Sequence, residues 1–164
     1  AYRDYNFSDS SGNSIIQATS SWLVLDFDSK RIVRLSKFKE FPEYGESILG
    51  TNPEKIKSPS SEKKLDFTPV LFNEIDINQH FNSGRYIERI IDDYSFGFHK
   101  NNELAQFEIN FRKEGKDSDR LAVMKEKKNE NVHLASVVRE TDHADLITTR
   151  MHWRKRHNHR LNVY

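Results

Sequence analysis

One apolar stripe at helical spacing stands ahead of a run of strand patterns, and it restricts what this chain can build. Tyr86, Ile87, Ile90, Ile91, Tyr94 and Phe98 recur at short helical intervals. In an α-helix such positions share one broad face, which must be buried against a second layer. The spacing predicts one helix, capped by Asn82 or a neighbour and running to about Phe98. Arg85, Glu88, Arg89, Asp92 and Asp93 fall on the other side, which reads as a solvated face.

The second layer follows in the sequence. Phe107, Ile109 and Phe111 alternate with Gln106, Glu108, Asn110 and Arg112, the period of a half-buried strand. Residues 121–127 and 132–139 flank Lys128-Asn129-Glu130-Asn131, a hairpin turn, and residues 144–153 read as a closing strand. Residues 67–73 read as a strand ahead of the helix. The order is strand, long helix, antiparallel meander, with the helix free to lie across the sheet. That is an α+β chain in the hotdog arrangement, complete over residues 65–156.

The N-terminal part is different. Residues 2–8 and 14–26 read as strands joined by a Ser-, Asp- and Gly-rich turn, the second long enough to require a bend or bulge. A lone hairpin is marginal in water, so it must pack on something else. Residues 36–64 carry Pro42, Gly45, Gly50, Pro53, Pro59 and a Ser/Lys-rich tract, and read as a linker. The chain enters its first strand at once, without Met; a truncated start is expected, with oligomers as its consequence.

Composition removes several classes. Lys and Arg number 26 against 25 Asp and Glu, so no positive field points to nucleic acid. With no Cys there are no disulfides, thiolate nucleophiles or Cys-based zinc sites. His152, His157 and His159 lack a carboxylate pattern that would complete a metal site. No apolar run is long enough to span a bilayer, and no signal peptide is visible; a cytoplasmic location is expected, with a plastid open. Residues 157–164 form a basic tail that reads as solvated, or as a contact for an acidic partner.

Asp76, Asn78 and His80 alternate along a predicted extended run just before the helix. In a strand they would share one face, gathering a carboxylate, an amide and an imidazole beside the free N–H groups of a helix start. Such a group suits chemistry at a carbonyl. Taken singly, each has a plainer role. Asp76 and Asn78 suit turns or caps, His80 a structural hydrogen bond, and Glu114 before Gly115 a solvated strand end.

The combination resembles a known family. Asp76-Ile77-Asn78-Gln79-His80-Phe81-Asn82, with Tyr86-Ile87 and Asp92 beyond, is similar to the signature of acyl-(acyl-carrier-protein) thioesterases. Ile109-Asn110-Phe111-Arg112-Lys113-Glu114 resembles that family's strand ending in a catalytic-type Glu, and His80 and Glu114 lie 34 positions apart, as in the plant-type enzymes. Ser83, Arg89 and Gly115 depart from the family's usual Asn, Trp and Cys.

The resemblance implies two tandem hotdogs, with residues 1–35 as the end of the first. It implies hydrolysis of a fatty acyl thioester on acyl carrier protein in fatty acid biosynthesis, without metal or organic cofactor. His80 and Glu114 would serve as acid/base and positioning groups, Asn78 as an orienting amide, and Asp76 as either nucleophile or orienter. Asn82, Ser83 and Tyr86 would meet the substrate, with N–H groups near Asn82 holding the thioester oxygen. Two alternatives remain: a hotdog thioesterase acting on acyl-coenzyme A, and a non-catalytic acyl-binding or interaction module.

Overall fold

Pairing among four long strands of residues 102–155 produces the largest element of the structure, an antiparallel sheet. The computed structural model describes residues 2–29, 31–34, 37–38, 47–61 and 64–156. The chain divides into two units, Ala1–Glu54 and Lys55–Tyr164. The basic tail at 157–164 lies outside the described residues, as does most of the predicted linker between 36 and 46. The division also cuts that linker, because residues beyond 54 belong to the second unit.

In the first unit, β1 (Tyr2–Ser8) and β2 (Ser14–Ser21) form a hairpin. Its turn is held by the Asp9 carboxylate, which accepts from Ser11 N–H and Asn13 N–H, both at 2.9 Å. Gly12 takes φ +85°, a left-handed backbone that side chains disfavour. The strand expected over 14–26 with a bend or bulge is interrupted after Ser21. After Trp22 and Leu23, β3 (Val24–Leu25) pairs with β4 (Ile32–Val33) as a separate ribbon.

In the second unit, β5 (Thr68–Pro69), β6 (Asn102–Phe111), β7 (Arg120–Lys127), β8 (Val132–Arg139) and β9 (Asp145–Lys155) lie in the order β5-β7-β8-β9-β6. The expected hairpin over 128–131 joins β7 to β8. The expected four-strand meander is corrected: β7, β8 and β9 form one, but β6 pairs with β9, from Asn102 opposite Lys155 to Phe111 opposite Ile147. Alternation tells which face a side chain takes, not which strand lies beside it. The strand expected over 67–73 shrinks to β5, and a 3-10 turn over Phe72–Glu74 follows it.

The single predicted helix is also corrected. It is two: α1 (Ser83–Asp92) and α2 (Phe96–Asn101). Asp93 ends the first, and the Ser95 hydroxyl caps the second by accepting from Phe98 N–H at 3.2 Å. Asn82 is the N-cap of α1, as expected, its side chain accepting from Gly84 N–H at 2.8 Å. α1 buries Tyr86 and Ile90 against Leu121, Ala135, Val137, Ile147 and Met151. Fully burying a side chain such as Ile90 contributes about 1.5–3 kcal/mol.

The other face of the sheet is covered too. Leu134, Ser136 and Val138 of β8 point away from α1 yet are buried. Ile56, 3% exposed, crosses this face; its N–H donates to Asn110 Oδ1 at 2.7 Å, and its carbonyl accepts from Arg112 and Thr148. Ser60 N–H donates to Glu126 at 3.0 Å. Residues 56–60 are therefore a strap on the sheet. No described helix is long and apolar enough to cross a membrane.

Tyr94, Phe98, Trp153 and His133 make an aromatic cluster beyond the end of α1. His133 is buried, and its Nδ1 lies 3.1 Å from the Tyr94 hydroxyl. Burial first, then the charges of Lys127 and Lys125, push the His133 pKa below its ordinary value of 6.5. The unfolded chain then binds a proton that the folded chain refuses, so stability falls as pH drops below the unfolded value. Thermal unfolding at about pH 7.5 and about pH 5.5 is expected to show a lower midpoint in acid, and a smaller difference in His133→Gln. An equal difference in both proteins would rule out His133 as the source.

Candidate functional site

Residues 75–82 are a closed loop rather than the extended run expected. Asp76 N–H donates to the His80 carbonyl at 2.8 Å, and Gln79 N–H to the Asp76 carbonyl at 3.0 Å. Gln79 takes φ +62°, and Ile75 bridges Phe81. Asp76 Oδ1 accepts from Asn78 N–H at 2.8 Å and His80 N–H at 3.2 Å. Asp76, Asn78 and His80 do not line one strand face. A short carboxylate that can satisfy its own backbone offers the chain a turn instead of a ladder, and here that alternative wins.

The loop nonetheless delivers His80. Its Nε2 lies 3.4 Å from Glu114 Oε2, with the His80 side chain 42% and that of Glu114 71% exposed. The pair is thus open to a ligand. Asn78 is exposed on the same loop, and Ser83 is exposed at the first turn of α1. Gly84 N–H and Arg85 N–H already donate to Asn82, so these two are not free for a substrate oxygen. Tyr86, expected at the substrate, is instead 2% exposed, and its hydroxyl accepts from Gly115 N–H at 2.9 Å. Burial, opposed by that hydrogen bond, pushes its pKa up to about 12, so it stays a neutral phenol. Among the described residues, no group of His, Asp and Glu could hold a metal ion.

Two features were missed in the sequence. Arg89 is not on a solvated face. Its Nε donates to Glu74 Oε1 at 2.7 Å and its Nη2 to Glu74 Oε2 at 2.5 Å, with the side chains only 15% and 10% exposed. Arg89 also donates to Thr68 Oγ1 and the Pro69 carbonyl, both at 3.0 Å, and its guanidinium lies over Phe81. Burial alone would raise the Glu74 pKa, but the Arg89 hydrogen bonds, Leu71 N–H and the Arg89 charge hold it below the ordinary value. Its carbonyl accepts from Asn82 N–H at 2.8 Å, tying the loop to the start of α1. The available signal was Arg89's place three residues after Tyr86, at the border of the apolar stripe.

The second feature is the peptide that carries Glu114. Phe81 N–H donates to the Gly115 carbonyl at 2.9 Å, and Arg139 Nη1 to the Glu114 carbonyl at 3.3 Å. Arg139 is itself gripped by Asp142 at 3.0 and 2.9 Å. No residue pattern announces these long-range backbone contacts.

Removing one partner of a largely buried, hydrogen-bonded ion pair leaves an uncompensated charge. Arg89→Met is therefore expected to lower stability by about 3 kcal/mol in urea unfolding. A double-mutant cycle with Glu74→Gln should show a coupling above about 1 kcal/mol, and additive losses would contradict the pairing.

The profile of the acyl-ACP thioesterase C-terminal domain matches residues 56–155, more than half of the chain. A chloroplastic palmitoyl-acyl carrier protein thioesterase of Gossypium hirsutum is 27% identical over 177 aligned positions, covering 94% of this chain and 42% of that protein. The chain spans less than half the length of the curated relatives it matches. The solved 12:0-ACP thioesterase from Umbellularia californica is similar with TM-score 0.75 at 15% identity, covering 94% of this chain and 62% of that one. An acyl-ACP thioesterase from Bacteroides thetaiotaomicron is similar with TM-score 0.70 at 20% identity, covering 93% and 62%. These likenesses show the hotdog fold. The chain belongs to the acyl-ACP thioesterase family, whose C-terminal domain it carries.

Proposed function

We propose that the chain takes part in hydrolysing a fatty acyl thioester carried on acyl carrier protein, releasing the free fatty acid. The observation that carries this is the His80–Glu114 pair, 3.4 Å apart and exposed, set on two clamped loops in a chain of this family. Hydrolysis needs a water deprotonated as it attacks the carbonyl carbon, and a proton returned to the departing thiolate. Glu114 and His80 exchange that proton between them: one takes it from water as the C–O bond forms, and the other gives it to sulfur as the C–S bond breaks. Asn78, exposed two residues from His80, takes the part of the orienting amide for the water or the thioester oxygen on this reading. Asp76, with Oδ1 holding its own loop, acts as orienter rather than nucleophile. On this reading the chain works where acyl carrier protein is charged, in a bacterial cytoplasm or a plastid. Residues 1–35 then form the end of a first hotdog.

Loss of a positioned acid or base lowers turnover by about 100-fold or more. Glu114→Gln and His80→Ala are each expected to do so with palmitoyl- and dodecanoyl-acyl carrier protein as substrates, read by free-thiol release. Equal rates in both variants and the parent would sink the assignment. Faster turnover of palmitoyl-coenzyme A than of the carrier-bound ester would replace the proposed substrate.

A further inference from the structure

We propose that Tyr86 is a positioning residue that holds Glu114 against His80 through the Gly115 peptide; the inference rests on the catalytic reading of that pair. The Glu114 side chain is 71% exposed, so packing does not fix its carboxylate. Its backbone is fixed instead. The Glu114 carbonyl accepts from Arg139, Gly115 N–H donates to the Tyr86 hydroxyl at 2.9 Å, and the Gly115 carbonyl accepts from Phe81 N–H at 2.9 Å. Phe81 follows His80 directly, so the same residue anchors both halves of the pair.

Residue 115 must be glycine for this approach. A Cβ there would lie 2.8 Å from the Tyr86 hydroxyl, 3.1 Å from Phe81 Cβ and 3.2 Å from Leu146 Cδ1. The Tyr86 ring is locked in the core 4.4 Å from Phe81, centroid to centroid, and cannot swing aside. Tyr86 thus acts as a rigid post of fixed length, rooted in α1, with the Glu114 loop hung on its tip. Removing the hydroxyl leaves a buried N–H without acceptor and lets the loop shift. A displacement of about 1 Å is enough to slow a positioned reaction by up to about 100-fold.

The test compares Tyr86→Phe, Gly115→Ala, Glu114→Gln and a core control, Ile90→Val, in the whole chain with palmitoyl-acyl carrier protein. Tyr86→Phe is expected to lower kcat about tenfold with KM within about twofold of the parent, and Gly115→Ala to act in the same direction. The control should lose thermal stability but keep kcat. A second readout is the His80 ring resonances in NMR spectra. Tyr86→Phe should move them in the direction that Glu114→Gln does, because both remove the carboxylate from the imidazole. Parent-like kcat and unmoved His80 resonances in Tyr86→Phe, beside an inactive Glu114→Gln, would overturn the positioning role and leave the catalytic pair standing. An active Glu114→Gln would overturn the catalytic reading, and the resonances alone would then decide whether Tyr86 places Glu114.

Discussion

The hydrogen bond from Phe81 N–H to the Gly115 carbonyl joins two loops that are distant in sequence, and the proposed His80–Glu114 site depends on it. Neither His80 nor Glu114 is held by packing of its own side chain, since both are open to solvent. Precision in such a pair has to come from the main chain. It does: Phe81 is buried with its ring against Tyr86, and Tyr86 closes the arrangement by reaching the adjoining N–H. A buried donor and acceptor each left unmade would cost about 1–3 kcal/mol, so the two loops are strongly biased to stay together.

The Glu74–Arg89 pair performs the matching task on the other side of the His80 loop. Glu74 accepts from Leu71 N–H and from the Arg89 guanidinium, while its carbonyl holds Asn82 N–H. One residue thereby fixes the entry to the loop, its exit and the first turn of α1. Burial opposes the charge on Glu74, and the bidentate guanidinium outweighs it. Arg89 fills the border between helix and sheet through its contacts with the Phe81 ring and β5. A buried ion pair is weak evidence for net stability, and what the structure displays here is the geometry that its hydrogen bonds fix.

The sheet of the second unit has no bare face at its centre. α1 covers one side through Tyr86 and Ile90, and the 56–60 strap covers the other through Ile56. This explains why β8 is buried along nearly its whole length, and why its sequence lacks the alternation of a half-solvated strand. It also moves residues 55–61 from the predicted linker into the second unit.

His80 and Glu114 stood out only through the family resemblance, whereas local pattern was enough to reveal the α+β class, the α1 cap at Asn82 and the β7–β8 hairpin. Those features depend on periodicity, turn chemistry and short-range spacing, which a linear string displays. The strand order, the break between the helices, the curled path of 75–82 and the burial of Tyr86 and Arg89 were settled only in three dimensions. Each turns on a competition between partners: Asp76 chose its own backbone over a strand, β6 chose β9 over β7, and Arg89 chose Glu74 over water. The sequence contains both contenders every time, and only the packed chain shows which one prevails. Above all, the sequence names His80 and Glu114, but the folded backbone around Phe81 and Gly115 brings them together.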